Sequence, residues 1–262
     1  MAVLLKSRQE VAALREAGRV VAETYEKLRP YVVPGVSTAE LDRIAEDFVR
    51  SKGGITIYKG YGAKPARYGR AAVPPFPATI CVAVNDVICH GIPSPNEILQ
   101  AGDIIGIDIG VRYKGWVGDS CVTFAVGNID GESQHLMDVA KRCLELGIEQ
   151  ARAGKYLRDI GKAIEAYAAS QGFSTVYELC GHGVGKSLHE DPSYVHTGNP
   201  GVDVRLKPGM VFTIEPMINA GRPEIRVMAD QWTVCTVDGA RSAQFEHTLA
   251  ITDGEPELLT VL

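Results

Sequence analysis

The chain has 262 residues, 45% hydrophobic and 23% charged, an ordinary globular balance that is long enough to bury a large core. Its net charge of −5 argues against a dedicated nucleic-acid groove, and the short apolar run before Lys6 is too brief for a signal peptide or membrane span, so a cytoplasmic location without a membrane partner is expected. The six cysteines, at positions 81, 89, 121, 143, 180 and 235, form no Cys-x-x-Cys pair; this excludes a zinc ribbon or thioredoxin site and implies free thiols.

Ser7-Arg-Gln-Glu10 reads as a capping box, followed by Val11, Leu14, Gly18, Val21, Tyr25 and Leu28 at helical spacing. Ser37-Thr-Ala-Glu40 reads as a second box, opening a helix with Leu41, Ile44, Ala45 and Phe48 on one face. Strand-like runs follow at 78–85, 103–111 and 116–126. A helix is then expected from about Gln134 to Ala151, and another carries Leu157, Ile160, Ile164 and Tyr167.

The second half repeats the first. Shifted by 119 positions, Gly35, Leu41, Ile44, Phe48, Ser51 and Gly53 fall on Gly154, Ile160, Ala163, Tyr167, Ser170 and Gly172. At a shift of 107, Leu99–Asp108 matches Leu206–Glu215, and the run around Asp119 matches that around Glu246. These matches imply a single domain, 1–262, built of two related halves (about 1–126 and 134–262). The expected class is α+β, an antiparallel sheet with helices covering its outer face.

A pseudo-twofold relating the halves would bring Asp108, Asp119, Glu215 and Glu246 together. A hairpin folded about Tyr113–Lys114 would set Asp108 directly opposite Asp119, where like charges repel. A three-residue loop through Gly115 would instead send them to opposite faces, unless a bulge at Gly118 absorbed the shift. Four bare carboxylates are stable together only when some are protonated or a multivalent cation sits among them. Cys180-Gly-His182-Gly-Val-Gly-Lys-Ser-Leu-His189 adds two histidines, the first flanked by glycines that let the backbone bend closely. Carboxylates with one imidazole suit two divalent ions (Co, Mn, Fe or Zn) rather than a thiolate zinc site. Two such ions can activate a water for hydrolysis.

The ordered set Cys89–Pro93 (CHGIP), Asp108–Asp119, Gly181–Gly185 (GHGVG), His189–Pro192 (HEDP), Phe212–Pro216 (FTIEP) and Gln244–Thr248 (QFEHT) resembles the type 1 methionine aminopeptidases over nearly the whole chain. The resemblance implies the pseudo-twofold pita-bread fold and a dinuclear metallo-exopeptidase that removes the initiator methionine from nascent chains with a small second residue, through a metal-bridging hydroxide. It implies Asp108, Asp119, His182, Glu215 and Glu246 as metal ligands, with Asp119 and Glu246 bridging both ions. His90 and His189 would contact substrate and intermediate, His189 at the developing oxyanion, and Glu215 would also relay the proton to the leaving amine. Nascent-chain N-termini are the implied partners, the ribosome exit region is a candidate partner, and a monomer is expected.

By the same resemblance Tyr61, Phe76, Cys81 and Trp232 line the methionine pocket. The family's continuous aromatic-glycine run is here split between Tyr58–Gly62 and Phe76–Cys81 by an insert that carries Lys64, Arg67 and Arg70, and Leu188 stands where an aromatic residue is expected. His135 and His196 are expected in loops or on the surface, and His247 on the strand face opposite Glu246. Cys89 beside His90 would point away from it on a strand, which disfavours a cysteine nucleophile. The competing readings are an X-Pro aminopeptidase or prolidase of the same fold, disfavoured because the expected fold starts near residue 1, and a non-catalytic binding relative, disfavoured by the complete ligand set.

Overall fold

The computed structural model describes residues 3–65, 72–199 and 203–262. The first capping box closes from both sides. The Ser7 hydroxyl accepts from the Glu10 amide, the Glu10 carboxylate accepts from the Ser7 amide, and helix α1 runs Arg8–Leu28. A short 3₁₀ turn, Arg29–Tyr31, leads to α2, Thr38–Ser51. The second box forms only by half: Ser37 accepts from the Glu40 amide, but the Glu40 carboxylate turns to Arg43. Five strands complete the first half: β1 (Ile55–Thr56), β2 (Ile80–Val84), β3 (Val87–Cys89), β4 (Ile104–Tyr113) and β5 (Trp116–Ala125).

The second half opens with α3, Gly131–Gln150, which starts three residues before the expected Gln134 because Asp130 caps the Ser133 amide. Helix α4, Leu157–Ser170, follows. Ten short strands come next: β6 (Ser174–Thr175), β7 (Cys180–Gly183), β8 (Glu190–Val195), β9 (Val211–Ile214), β10 (Met217–Asn219), β11 (Ile225–Val227), β12 (Val234–Thr236), β13 (Ser242–Gln244), β14 (His247–Ala250) and β15 (Glu257–Leu258). Glycines matched by the internal repeat share left-handed backbone: φ is 92° at Gly35 and 91° at Gly154, and 101° at Gly102 and 88° at Gly209.

All strand pairs are antiparallel, but they form four sheets rather than one. The breaks have a local cause. β9 pairs with β14 and β10 with β13 in one shared register, and the ladder opens between them at Glu215–Pro216 and Phe245–Glu246. Pro216 has no amide hydrogen to donate. The Glu215 amide donates to His196 instead, and the Glu246 amide to the Cys121 carbonyl across the molecule. The ladder is therefore interrupted where the second pair of acids lies, and the shared register sets Glu215 opposite Glu246 across the gap.

The helices cover the outer faces. Val21, Tyr25, Leu28, Leu41 and Val49 of α1 and α2 bury Ile105, Ile107, Ile109 and Val111 of β4. Leu136, Val139, Cys143, Ile160 and Ile164 of α3 and α4 bury Phe212, Ile214 and Leu249. By strand alternation Gly106, Asp108 and Gly110 occupy the inner face of β4. The halves are joined by a polar seam: Ser120 donates to the Glu246 carbonyl (2.5 Å), Thr248 to the Asp119 carbonyl (2.7 Å) and Thr123 to the Gln244 carbonyl (2.6 Å).

No bulge forms at Gly118, since the β4–β5 register is continuous. Gly118 serves instead as the contact where α1 meets β5. A Cβ there would stand 2.6 Å from the Gly18 nitrogen and the Ala17 carbonyl carbon. Gly118→Ala should therefore cost about 2–3 kcal/mol by overpacking against backbone, read as a lowered urea midpoint. Gly131→Ala, where a Cβ meets nothing within 4 Å, should stay within about 0.5 kcal/mol of the parent.

Candidate metal centre

Lys114 (φ 48°) and Gly115 (φ 86°) form a two-residue turn between Tyr113 and Trp116, the positive-φ pair that matches strand twist. The hairpin thus folds one residue later than a turn about Tyr113–Lys114, and the register moves by two. Asp108 sits opposite Cys121 and Asp119 opposite Gly110. A shift of two preserves the face, so the aspartates are diagonal neighbours rather than a direct pair. Gly110 leaves room for a side chain that the sequence reading passed over: a Cβ there would stand 2.6 Å from the Tyr58 ring. The Tyr58 hydroxyl lies 2.6 Å from Oδ1 of both Asp108 and Asp119. A phenol has a single proton to donate, so both contacts are hydrogen bonds only when one carboxyl is itself protonated.

From the other half, Glu215 and Glu246 leave the ladder and turn into the same space. Oxygens of Asp108, Asp119 and Glu246 all lie within 4.8 Å of one another. His182 on β7 adds Nε2 at 3.5 Å from Asp119 and 3.6 Å from Glu215. Its Nδ1 lies 3.1 Å from the Gly183 carbonyl, which can only accept. Nδ1 therefore carries the proton and Nε2 presents its lone pair to the acids. Thr213 receives the His182 amide (3.0 Å) and donates to Glu215 Oε1 (2.6 Å). The glycines beside His182 allow close packing at a break in the β7–β8 register between His182 and Gly183: a Cβ on Gly183 would stand 2.3 Å from the Asp191 carbonyl oxygen.

The five side chains assigned together from sequence thus converge. Among the described residues none of the four carboxylates pairs with a lysine or arginine. Burial, reinforced by the neighbouring carboxylates, pushes Asp108, Glu215 and Glu246 well above the usual range, and burial pushes Asp119 to about 6. Among the described residues no hydrogen-bond partner reaches the buried Glu246 Oε1. An orphaned carboxylate oxygen, an imidazole lone pair and no balancing cationic side chain make a donor set that fits divalent cations.

The centre floors a cavity of about 210 Å³ lined by all four expected pocket residues, Tyr61, Phe76, Cys81 and Trp232. His90, His189 and Leu188 also line it, as do Tyr58, Leu179, Cys180 and Met217, which the sequence reading did not single out. His90 adopts φ 56°, a left-handed conformation uncommon outside glycine and frequent at functional sites. Burial holds the imidazoles of His90 and His189 down at about 4, so both are neutral at pH 7. Cys89 is buried and its thiol is pushed well above its ordinary value by burial, which opposes a thiolate nucleophile.

His135 is exposed as expected. His247 is half-buried, bonded to Thr260. His196 departs from expectation: it is 2% exposed, and its Nε2 accepts the Glu215 amide at 3.0 Å. Nothing local marks it, because its partner is 19 residues away and recruits it only through the broken ladder. The insert closes at its base, where Lys64 and Val73 exchange both backbone hydrogen bonds, while Arg67 and Arg70 lie outside the described residues. Trp232 donates to the Pro74 carbonyl at 2.9 Å, which docks the pocket wall on the insert's stem.

The four acids hold their protons to higher pH in the folded state than in the unfolded chain. Their contribution to stability is complete below the ordinary carboxylate range and is lost as pH rises through the raised values. The ion-free protein should therefore lose melting temperature between about pH 4 and pH 7. Asp119→Asn should flatten the part of that fall that ends near 6, and a divalent cation should restore the loss in the parent chain. Thermal scans with chelator at each pH check this.

The family model of metallopeptidase family M24 matches residues 12–253. The chain is 45% identical to methionine aminopeptidase 1 of Bacillus subtilis, over 98% of this chain and 99% of that relative. It is 42% identical to methionine aminopeptidase of Escherichia coli, over 100% and 95%. The crystal structure of methionine aminopeptidase from Thermotoga maritima matches with a TM-score of 0.92 at 34% identity, covering 100% of both chains. The X-Pro aminopeptidase from the same organism, at 19% identity and TM-score 0.72 over 62% of its length, shares the fold. With a metallopeptidase profile spanning most of its length and close relatives matched end to end, the chain belongs to the methionine aminopeptidases of family M24.

Proposed function

We propose that the protein is a type 1 methionine aminopeptidase that removes the N-terminal methionine from nascent chains and peptides with a small second residue. The observation that carries this reading is the buried four-carboxylate cluster with His182 at the floor of a small apolar cavity. Phe76, Cys81, Leu188, Met217 and Trp232 give that cavity the apolar, sulfur-tolerant lining that a methionine side chain needs.

Asp108, Asp119, His182, Glu215 and Glu246 would hold two divalent cations, which supply Lewis acidity at the scissile carbonyl and a water made nucleophilic near neutral pH. The remaining steps belong to the chain's own side chains. His189, on the cavity wall with its ring tilted against that of His182 at 4.1 Å between centres, donates a hydrogen bond to the oxygen that gains charge, a contact that strengthens toward the transition state. His90, which also lines the cavity, orients the substrate. Glu215, whose raised affinity for a proton follows from its burial, carries a proton to the leaving amine. Thr213 and His196 hold its carboxylate and its backbone while it does so.

The decisive experiment measures bound divalent cation and methionine release from Met-Ala-Ser together. Turnover with cation bound is expected. Cation uptake with turnover of X-Pro peptides alone would assign the prolidase class instead, and absence of cation uptake would leave only a binding protein. Asp108→Ala and Glu246→Ala should each abolish turnover while far-UV circular dichroism is retained; full activity in either would remove the cluster from the reaction. His189→Ala should lower kcat by about a hundredfold.

A further inference from the structure

Tyr61 lines the cavity, and its hydroxyl is engaged by another side chain of the same wall. It lies 2.5 Å from Nδ1 of His189, with the two rings 5.5 Å apart between centres. Tyr61 is 39% exposed, but its backbone is held by residues that flank the insert: its amide donates to the Tyr58 carbonyl (2.8 Å) and its carbonyl accepts the Phe76 amide (3.0 Å). Among the described residues no other hydrogen-bond partner engages either Tyr61 Oη or the His189 ring.

We infer that Tyr61 is a positioning residue that sets the tautomer of His189. This rests on the proposed function, in which His189 donates to the developing oxyanion. In a neutral imidazole one nitrogen carries the proton and the other accepts, and the hydrogen bond made at one nitrogen decides the state of the other. Between a phenol and an imidazole nitrogen 2.5 Å apart, the phenol, as the stronger acid of the two neutral N–H or O–H groups, is the donor. Tyr61 O–H therefore points at Nδ1, and the ring proton resides on Nε2, the nitrogen on the far edge of the ring and free to donate. The neighbouring His182 is fixed the opposite way, since the Gly183 carbonyl takes its Nδ1 proton. Two histidines with ring centres 4.1 Å apart are thereby committed to opposite duties: one offers a lone pair to a cation, the other a proton to an oxygen. Without the Tyr61 hydroxyl, His189 would populate both tautomers, and the form with Nδ1 protonated would turn a lone pair toward the oxyanion.

The test is Tyr61→Phe, which keeps the ring and removes the donor. The tautomer is read from nitrogen–carbon correlation spectra of histidine-labelled protein, ion-free and zinc-loaded, with His189 assigned from the His189→Ala spectrum. The parent should show Nε2 protonated in both states. Tyr61→Phe should give a mixture, with kcat lowered by about ten- to a hundredfold, KM changed far less, and the melting temperature retained. A His189 protonated on Nδ1 in the parent overturns the inference, as does a Tyr61→Phe protein whose spectrum is unaltered, whatever its kcat. The spectrum is read independently of turnover. Failure to release methionine would therefore defeat the proposed function and leave the tautomer to be decided on the spectrum alone.

Discussion

The structure is organised around an electrostatic conflict: four carboxylates converge in a buried space with no lysine or arginine among the described residues to balance them. A buried, unpaired carboxylate is costly, and each of these responds by holding its proton far above the normal range. Neighbouring polar groups relieve only part of the cost. Tyr58 reaches two of the acids and Thr213 a third, while one oxygen of Glu246 has nothing. A site left unsatisfied in this way is built for a charge that the polypeptide does not carry.

The surrounding fold keeps that conflict from relaxing. Asp108 and Asp119 come from adjacent strands and Glu215 and Glu246 from the facing gaps of a broken ladder, and helices cover the outer face of each half, so the acids cannot turn outward without exposing isoleucine and leucine. The seam hydrogen bonds from Ser120, Thr123 and Thr248 fix one half against the other. The gap at Glu215 and Glu246 diverts two ladder amides to His196 and Cys121, freeing these residues to face the centre. Strand pairing is interrupted where function needs side chains rather than ladder bonds.

The pocket shows how much of this site depends on a single inserted segment. The stem of the insert seats Trp232 through the Pro74 carbonyl, and the Phe76 amide just beyond it holds Tyr61, whose hydroxyl meets His189. A substitution in this stem is therefore coupled both to the wall that receives the substrate side chain and to the histidine beside the reacting carbonyl.

Much of the fold was legible in the chain: the capped helices and the long β4–β5 hairpin follow from local periodicity and the meeting of the four carboxylates from matched positions along the chain, whereas His182 joined them only through the family resemblance. Local patterns determine such features because capping, turn formation and strand alternation act over a few residues. The exact hairpin register was not legible, because a turn one residue later is equally compatible with the alternation of β4 and moves Asp108 from Asp119 to Cys121 while keeping both on one face. Tyr58, Thr213 and His196 were beyond reach as well. Their partners lie 50, 2 and 19 residues away, and even the nearest pairing depends on Glu215 leaving its ladder. The sequence by itself determined which chemistry the chain carries and that its two halves bring it together. Only the tertiary structure decided which groups steady those acids and histidines, because such contacts are set by how separate elements dock and leave no periodic trace along the chain.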